Sequence, residues 1–230
     1  MKILLFGGSG TLGIELQKLD KNIIAPNRSI VDIKDSSELF TYILENKPEI
    51  IINAAADINN RNIEISPANA ILTNIIGSAN LAEICLILNI RLVYISSDYI
   101  YKGDKGNYKE TDEILPFNLY AWTKLGGECS VKCVQNHLII RTSFGKNMFE
   151  YNEAFTDKFT SKDYADVIAP LIYKAAISKV TGVLNIGTEK KTMLDYATKR
   201  KTTTPIKINN NNTPTDTSLD LTKMKHENIY

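Results

Sequence analysis

The sequence holds few of the residues that would indicate a disulfide framework, a metal site or a nucleic-acid surface. Three cysteines and two histidines are scattered over 230 residues, which argues against a disulfide scaffold and against a zinc site built by the protein. The formal net charge is +1, so no basic excess favours nucleic acid or an anionic membrane. No apolar run approaches the roughly 18 residues of a membrane span. We therefore expect a cytoplasmic protein that binds no nucleic acid, membrane or metal.

Four continuous apolar runs predict strands that are buried on both faces of a parallel sheet. These runs are residues 2–6, 50–53, 91–96 and 138–141. Stretches with helical spacing separate them, such as Leu12, Leu16 and Leu19, a helix that Ser36 could cap, and a long amphipathic stretch at about 68 to 89. This alternation predicts an α/β fold with a doubly wound, Rossmann-like parallel sheet and right-handed crossovers.

The composition changes after about residue 145. Residues 146–165 are polar and aromatic, and residues 201–218 are rich in threonine and asparagine, which is typical of a loop. We therefore predict a dinucleotide-binding domain over residues 1–145. A small, reduced substrate-binding lobe over residues 146–230 would partly complete the sheet.

A glycine-rich turn follows the first predicted strand directly. Gly7, Gly10 and Gly13 have the spacing G-x-x-G-x-x-G and open a predicted helix. Such glycines permit a tight turn, a close approach of backbone to pyrophosphate, and close packing of helix on strand. The turn predicts a nucleotide site in which Ser9, Thr11 and Leu12 also contact the cofactor.

The second predicted strand, residues 22–26, ends without the acidic residue that often binds a ribose. Arg28 follows instead, and it is either a ligand for a 2′-phosphate or a solvated loop arginine. The first interpretation favours NADP(H). Asp32 and Ile33 come next, where they could contact the adenine.

Tyr120 and Lys124 lie four residues apart in a predicted helix, residues 116–134, that begins near Pro116. Residues at this spacing share one helix face, and a lysine ammonium near a tyrosine is expected to lower the pKa of the phenol. The alternative is a solvated helix face. Ser97 favours the catalytic interpretation because it follows the 91–96 run at the carboxyl end of a strand, where a hydroxyl can stabilise a substrate oxygen.

Several further stretches resemble the extended short-chain dehydrogenase/reductase superfamily and, within it, the dTDP-4-dehydrorhamnose reductase family. The resemblance is dense over residues 1–145 and patchy beyond. It is carried by residues 94–103 (YISSDYIYKG), 108–112, 116–120, 123–125, 127–128 and 141–143, by Asn53, Ala54, Ala55, Ala56 and Asn74, and by residues 157–161 and 218–220.

The resemblance implies an NAD(P)H-dependent reductase of a 4-keto-6-deoxy nucleotide sugar, with NADPH slightly favoured over NADH. Tyr120 would protonate the forming alkoxide, and Lys124 would hold the nicotinamide ribose and lower the pKa of Tyr120. The stretch from Asn53 to Ala56 would be the family's strand-four cofactor contact. The implied substrate contacts are Ser97, Asp98, Tyr99, Asn118 and Phe144.

The sequence departs from the family pattern mainly around the substrate. Residues 57–58 and 60–61 differ, Phe144 replaces a tryptophan, Thr213 replaces an arginine, and about 20 to 30 residues are absent between Phe144 and Asp157. A non-catalytic NADP-binding regulatory subunit is therefore an alternative, as is a nucleotide-sugar epimerase or dehydratase. The superfamily also suggests a homodimer through residues 74–88 and 120–134.

Overall fold

The computed structural model describes residues 1–201, 206–208 and 213–230. The strands are β1 Ile3–Phe6, β2 Ile23–Ile24, β3 Ile50–Asn53, β4 Arg91–Ile95, β5 His137–Thr142, β6 Phe144–Gly145, β7 Glu153–Phe155, β8 Phe159–Thr160, β9 Asp163–Tyr164, β10 Gly182–Ile186, β11 Lys191–Thr192 and β12 Ile206–Ile208. The helices are α1 Thr11–Leu19, α2 Ser36–Asn46, α3 Asn60–Ile65, α4 Ala68–Ala70, α5 Gly77–Leu88, α6 Leu119–Val131, α7 Ala165–Ile177, α8 Met193–Thr198 and α9 Thr222–His226. A π-helical turn spans Ile71–Ile76 and a 3₁₀ turn spans Asp98–Ile100.

Within the described residues, six parallel strands form the central sheet in the order β10-β5-β4-β3-β1-β2. The side chains of β1 alternate between two apolar cores: Ile3 and Leu5 belong to one, Leu4 and Phe6 to the other. Side chains of α1 and α7 complete the first core, and side chains of α2 and α5 complete the second. Because helices cover both faces, the predicted doubly wound α/β fold is confirmed.

The sequence of strands reverses direction between β1 and β3, because β2 lies outside β1 while β3, β4 and β5 follow on its other side. Ligands of open α/β sheets bind at the carboxyl ends of the strands beside such a switch point. A ligand site is therefore expected among the loops after β1, β3, β4 and β5. The stretch from Asn53 to Ala56 follows the third strand of this chain, not the fourth.

The segment after residue 145 contributes β10 to the edge of the main sheet, where it pairs with β5. Three short strand pairs are separate from the main sheet: β6 with β9, β7 with β12, and β8 with β11. The division into two domains at residue 145 stays a prediction. The predicted threonine- and asparagine-rich loop contains β12, while its residues 202–205 and 209–212 lie outside the described residues.

Three predicted boundaries are corrected by local backbone chemistry. The second strand is Ile23–Ile24 rather than residues 22–26. Helix α2 is capped by Asp35, whose carboxylate accepts from two backbone N–H groups, so Ser36 is its first residue instead of its cap. Helix α6 begins at Leu119 rather than Pro116, because the Asn118 side chain accepts from the Ala121 N–H and Asn118 itself is extended.

The helical run Ala68–Leu88 corrects the expectation about membrane spans. It is 21 residues long, 39% of its most apolar part is buried, and its length and composition suffice to cross a bilayer. A core helix of a soluble protein meets the same criterion, so length and composition do not assign this helix to a membrane.

Candidate active site

A cavity of about 240 Å³ lies at the carboxyl ends of β1 and β3, against the glycine turn. Gly7 has φ +88°, and a Cβ there would lie 2.5 Å from the Ala54 carbonyl carbon. A Cβ at Gly13 would lie 2.2 Å from the Gly7 carbonyl oxygen. Both positions therefore require glycine, the first for backbone conformation and the second for close packing of α1 on the turn.

Most of the predicted cofactor residues line this cavity. They are Gly7, Ser9, Gly10, Arg28, Asp32, Ile33, Ala54, Ala55 and Ala56. Six others lie elsewhere: Gly13 packs against the turn, Leu12 is in the core, Thr11 borders another cavity, Asn53 is fully buried, and Tyr120 and Lys124 line a second cavity. The sequence reading missed Phe6, Gly8, Pro26, Val31 and Thr73 in the lining.

Arg28 and Asp32 form an ion pair at the rim of this cavity, with 2.8 Å between Arg28 Nε and Asp32 Oδ2. Burial favours the neutral carboxyl, but the Lys34 N–H and Arg28 together hold the pKa of Asp32 below its ordinary value. The arginine side chain is 64% exposed. A cation held at the mouth of a glycine-lined cavity fits a phosphorylated ribose, so the residues present suit a dinucleotide.

A second cavity of about 450 Å³ adjoins the first, because Ala54 and Ala56 line both. Its lining includes the three predicted catalytic residues and most of the predicted substrate residues: Ser97, Asp98, Tyr99, Tyr120, Lys124 and Phe144. Asn118 is not part of the lining, since its side chain caps α6. The topology thus brings the loop after β4 and the first turns of α6 to one cavity.

Lys124 is buried, with 2% of its surface exposed, and its ammonium lies 4.2 Å from the centre of the Tyr94 ring. Burial lowers the pKa of Lys124 to about 7, while the Glu128 carboxylate acts in the opposite direction. No hydrogen-bond acceptor for this ammonium is found in the described part of the chain. Lys124 is therefore available to a ligand in the cavity.

The expected effect of Lys124 on Tyr120 is not what the structure gives. Burial and the nearby Asp98 carboxylate raise the pKa of Tyr120, and a hydrogen bond with Ser97 opposes them. The physical reason is that the cavity removes water from the phenolate. The phenol is thus held protonated at neutral pH, which is the form that donates a proton.

Ser97 and Asp98 form a hydrogen-bonded group beside Tyr120. Ser97 Oγ accepts from the Tyr99 N–H and lies 3.3 Å from Asp98 Oδ1. Thr217 Oγ1 donates to Asp98 Oδ2 at 2.8 Å. Burial raises the pKa of Asp98, and the hydrogen bond from Thr217 lowers it. The Ser97 hydroxyl is consequently fixed at the end of β4 by its neighbours.

Two more hydroxyls line the same cavity with no hydrogen-bond partner among the residues described. They are Ser96 Oγ and Thr142 Oγ1, both in side chains that are at least nine-tenths buried. Buried polar atoms are normally paired because an unpaired one costs about 1–3 kcal/mol. Unpaired hydroxyls at the ends of β4 and β5 are therefore suited to pair with a bound polar molecule.

Two buried contacts hold α6 in place behind the cavity. Arg141 forms two hydrogen bonds with the Glu128 carboxylate, at 3.2 and 2.8 Å. Asn74, in the π-helical turn, donates to Thr123 Oγ1 at 2.8 Å and to the Asp57 carbonyl at 2.9 Å. These contacts link α6 to β5 and to the loop after β3, so the helix is fixed relative to both cavities.

The predicted site lacks several residues of the larger cavity, and among them Tyr151 and Lys162 come from the part of the chain beyond residue 145. Both also line a third cavity of about 250 Å³, together with Thr11, Phe149 and Tyr196. The only signal in the sequence is that Lys162 directly follows the 157–161 stretch. Nothing in its spacing indicates that it reaches the site.

Comparisons with known proteins give a family and a fold. The family described as "RmlD substrate binding domain" matches residues 1–219. A dTDP-4-dehydrorhamnose reductase from Aggregatibacter actinomycetemcomitans is 32% identical over 180 residues, which are 74% of this chain and 61% of that protein. The methionine adenosyltransferase 2 subunit beta of Xenopus laevis is 31% identical over 141 residues, 56% of this chain and 42% of that protein. The matches thus span less than two-thirds of either relative's length.

The fold is shared with a solved structure. The crystal structure of a dTDP-4-dehydrorhamnose reductase from Bacillus anthracis in complex with NADP has a TM-score of 0.88 at 23% identity, covering 98% of this chain and 92% of that chain.

Proposed function

This chain belongs to the RmlD substrate binding domain family, and on that premise we propose that it is an NAD(P)H-dependent reductase of a 4-keto-6-deoxy nucleotide sugar. The observation that carries the proposal is the shared cavity: Ser97, Tyr120 and Lys124 line one space, and that space adjoins the glycine-lined one. A cofactor in the glycine-lined cavity would then lie next to the proton donor Tyr120 in the adjoining cavity.

The cofactor would be held by the glycine turn, Arg28, the residues after β3 and Lys124. NADPH bound there would supply the hydride that reduces the keto carbon, and the NADP complex of the Bacillus anthracis structure supports this choice. The Arg28 side chain favours the 2′-phosphate of NADPH over NADH.

The chain's own residues then handle the oxygen of the keto group. Ser97 is positioned to donate a hydrogen bond to it, and Tyr120 delivers the proton, since burial keeps the phenol protonated. Donation of that proton leaves a phenolate in the cavity that Lys124 also lines, where the lysine would hold the nicotinamide ribose. Residues 146–230, as a substrate lobe, would contribute Tyr151 and Lys162 to the same cavity.

A dehydratase would need a further acid beside Asp98. The next residue is Tyr99, and burial raises the pKa of its phenol, so the site does not offer a second acid there. This supports reduction over dehydration.

The test is to mix the protein with NADPH and a panel of dTDP- and UDP-linked 4-keto-6-deoxy sugars and to follow the absorbance of the reduced cofactor. For Tyr120→Phe we expect a fall in kcat of about 10²–10⁴-fold with little change in NADPH affinity, because only the proton is lost. Tyr42→Phe, on α2 and outside the two cavities, is the matched control. Unaltered turnover in Tyr120→Phe, or no turnover by the wild type on any sugar despite NADPH binding, would contradict the proposal.

One observation favours a second candidate, a non-catalytic NADP-binding regulatory subunit. The identity to methionine adenosyltransferase 2 subunit beta is 31%, against 32% for the reductase, although the match covers 56% rather than 74% of this chain. This candidate predicts that the protein co-purifies with an unrelated enzyme and that Tyr120→Phe leaves the complex and its activity unchanged.

A further inference from the structure

Lys162 lies where two cavities meet. It follows β8 and precedes β9, and it lines both the 450 Å³ cavity that holds Tyr120 and the 250 Å³ cavity beside it. Ile58, Phe144 and Tyr151 are the other residues common to both. The two spaces are therefore neighbours, with a lysine at their shared wall.

The ammonium of Lys162 has no acceptor within ion-pair or hydrogen-bond distance among the residues that the structure describes. Lys162 Nζ lies 5.5 Å from the centre of the Tyr196 ring. The backbone of Lys162 is well anchored: its N–H donates to Thr160 Oγ1 and its carbonyl accepts from Lys191 Nζ. A fixed backbone thus presents a cation without an ion-pair partner to a cavity.

Lys162 and its two charged neighbours together carry a net positive charge. Burial and the neighbouring Lys158 both lower the pKa of Lys162, and only the Asp98 carboxylate opposes them. Lys158 is itself buried and donates to Tyr99 Oη at 2.8 Å. Two lysines thus face one carboxylate, and Asp98 is already engaged by Thr217. An anion placed here would relieve this excess charge.

The two cavities differ in character. The larger contains Ser97, Tyr120 and the unpaired hydroxyls of Ser96 and Thr142, which suit a hydroxylated, reacting group. The smaller is lined by the rings of Phe149, Tyr151 and Tyr196 and by Met193, which suit a flat aromatic group. A ligand that fills both must pass Lys162.

We propose that Lys162 binds the diphosphate of the substrate, with the reacting sugar on the Tyr120 side and the nucleoside base in the aromatic cavity. This assignment rests on the proposed function for its substrate class. It makes Lys162 the residue that selects an anionic substrate over a neutral sugar.

Calorimetry tests the proposal without turnover. We would titrate the wild type, Lys162→Gln and Lys162→Arg with dTDP, UDP, inorganic pyrophosphate, thymidine and NADPH. Lys132→Gln, an exposed lysine just after α6, is the matched control. For Lys162→Gln we expect dTDP and UDP affinity to fall about tenfold or more, since a hydrogen bond to a charged group is lost. Thymidine and NADPH affinity should stay unchanged, and Lys162→Arg should retain most of the nucleotide affinity.

The assignment would be overturned by equal dTDP affinity in Lys162→Gln and wild type, by a loss confined to NADPH, or by no binding of any diphosphate to the wild type. A change in Tyr196 packing alone would weaken thymidine and dTDP equally, which is also an overturning result. If reductase activity is absent while binding of dTDP still depends on Lys162, the proposed function fails and the diphosphate site stands.

Discussion

Lys124 is nearly inaccessible to solvent and lies against an aromatic ring, yet no carboxylate forms an ion pair with it among the residues described. An ammonium in such a place is destabilised relative to the amine, which explains why its pKa lies near 7 rather than 10.5. Burial of Lys124 therefore lowers the free energy of unfolding. The same burial places the ammonium where it can contact a ligand in the cavity.

This residue makes the stability of the protein depend on pH. Between about pH 7 and 10.5 the unfolded chain holds the Lys124 proton more tightly than the folded chain does, so stability rises with pH across that window. Lys124→Met should remove a slope of up to about 1.4 kcal/mol per pH unit. Urea unfolding of both proteins at several pH values measures this slope. The free energy of unfolding of Lys124→Met should exceed that of the wild type most near pH 7, and the difference should shrink towards pH 10.5. Parallel stability curves would refute the expectation.

The sequence identified Tyr120, Lys124 and Ser97 as neighbours because strand ends and helix faces follow from local patterns. It gave the wrong sign for the pKa of Tyr120, since the loss of water around a side chain depends on everything packed above it. Lys162 escaped notice for a related reason: two short strands, β8 and β9, set its position, and neither has a periodic pattern.

At the scale of the element, α6 carries the proposed proton donor one residue after its own start. The Asn118 cap fixes the first turn, where Tyr120 lies, by accepting the Ala121 N–H at 2.9 Å. Helix α2 has an equivalent cap, in which Asp35 accepts from the N–H groups of Ser37 and Glu38. The two helices therefore provide a matched pair of caps. Only the cap of α6 lies next to a residue, Tyr120, that lines the 450 Å³ cavity.

Replacing either cap should cost about 0.5–2 kcal/mol of unfolding free energy. Asn118→Ala should in addition lower kcat, because a frayed first turn lets Tyr120 move, whereas Asp35→Ala should leave kcat intact. Chemical unfolding gives the first quantity and the reductase assay the second. Equal kcat in the two variants would show that the cap does not position Tyr120.

The elements themselves were predictable to different degrees. The run 50–53 coincides with β3 because all four of its side chains are buried between two helical layers. β2 is only two residues long and lies at the sheet edge. An edge strand pairs on one side only, so an apolar run in the sequence does not predict its length. The start of α6 was misplaced because a proline at 116 permits a helix start there, whereas the Asn118 cap, two residues further along the chain, sets the actual start.

At the scale of the molecule, residues 217–220 bind the segment that follows β4, which includes Asp98 of the 450 Å³ cavity. Thr217 binds Asp98 across 119 residues of sequence, the Ser218 carbonyl accepts from the Tyr108 N–H, and the Asp220 N–H donates to the Tyr108 carbonyl. No local pattern predicts these contacts, which is why the family resemblance near residue 218 was needed to suggest the segment. They tie the last described part of the chain to the loop that follows β4.

Thr217→Val tests this tie. It should cost about 1.5–3 kcal/mol at neutral pH, where a buried carboxylate loses a donor, and less in acid, where Asp98 is protonated. Because the pKa of Asp98 is already raised by burial, removing the donor raises it further. Urea unfolding at the two pH values measures the difference. Thr41→Val, an exposed threonine on α2, should show a small and pH-independent loss; equal behaviour of the two variants would refute the role of Thr217.

These long-range contacts set an order for the maturation of the protein. During synthesis, β1, the glycine turn and β3 emerge early, and β1 and β3 are direct neighbours in the sheet. Asp98 must wait for Thr217, made more than a hundred residues later. All the residues that line the glycine-rich cavity are therefore synthesised well before the contact between Asp98 and Thr217 can form.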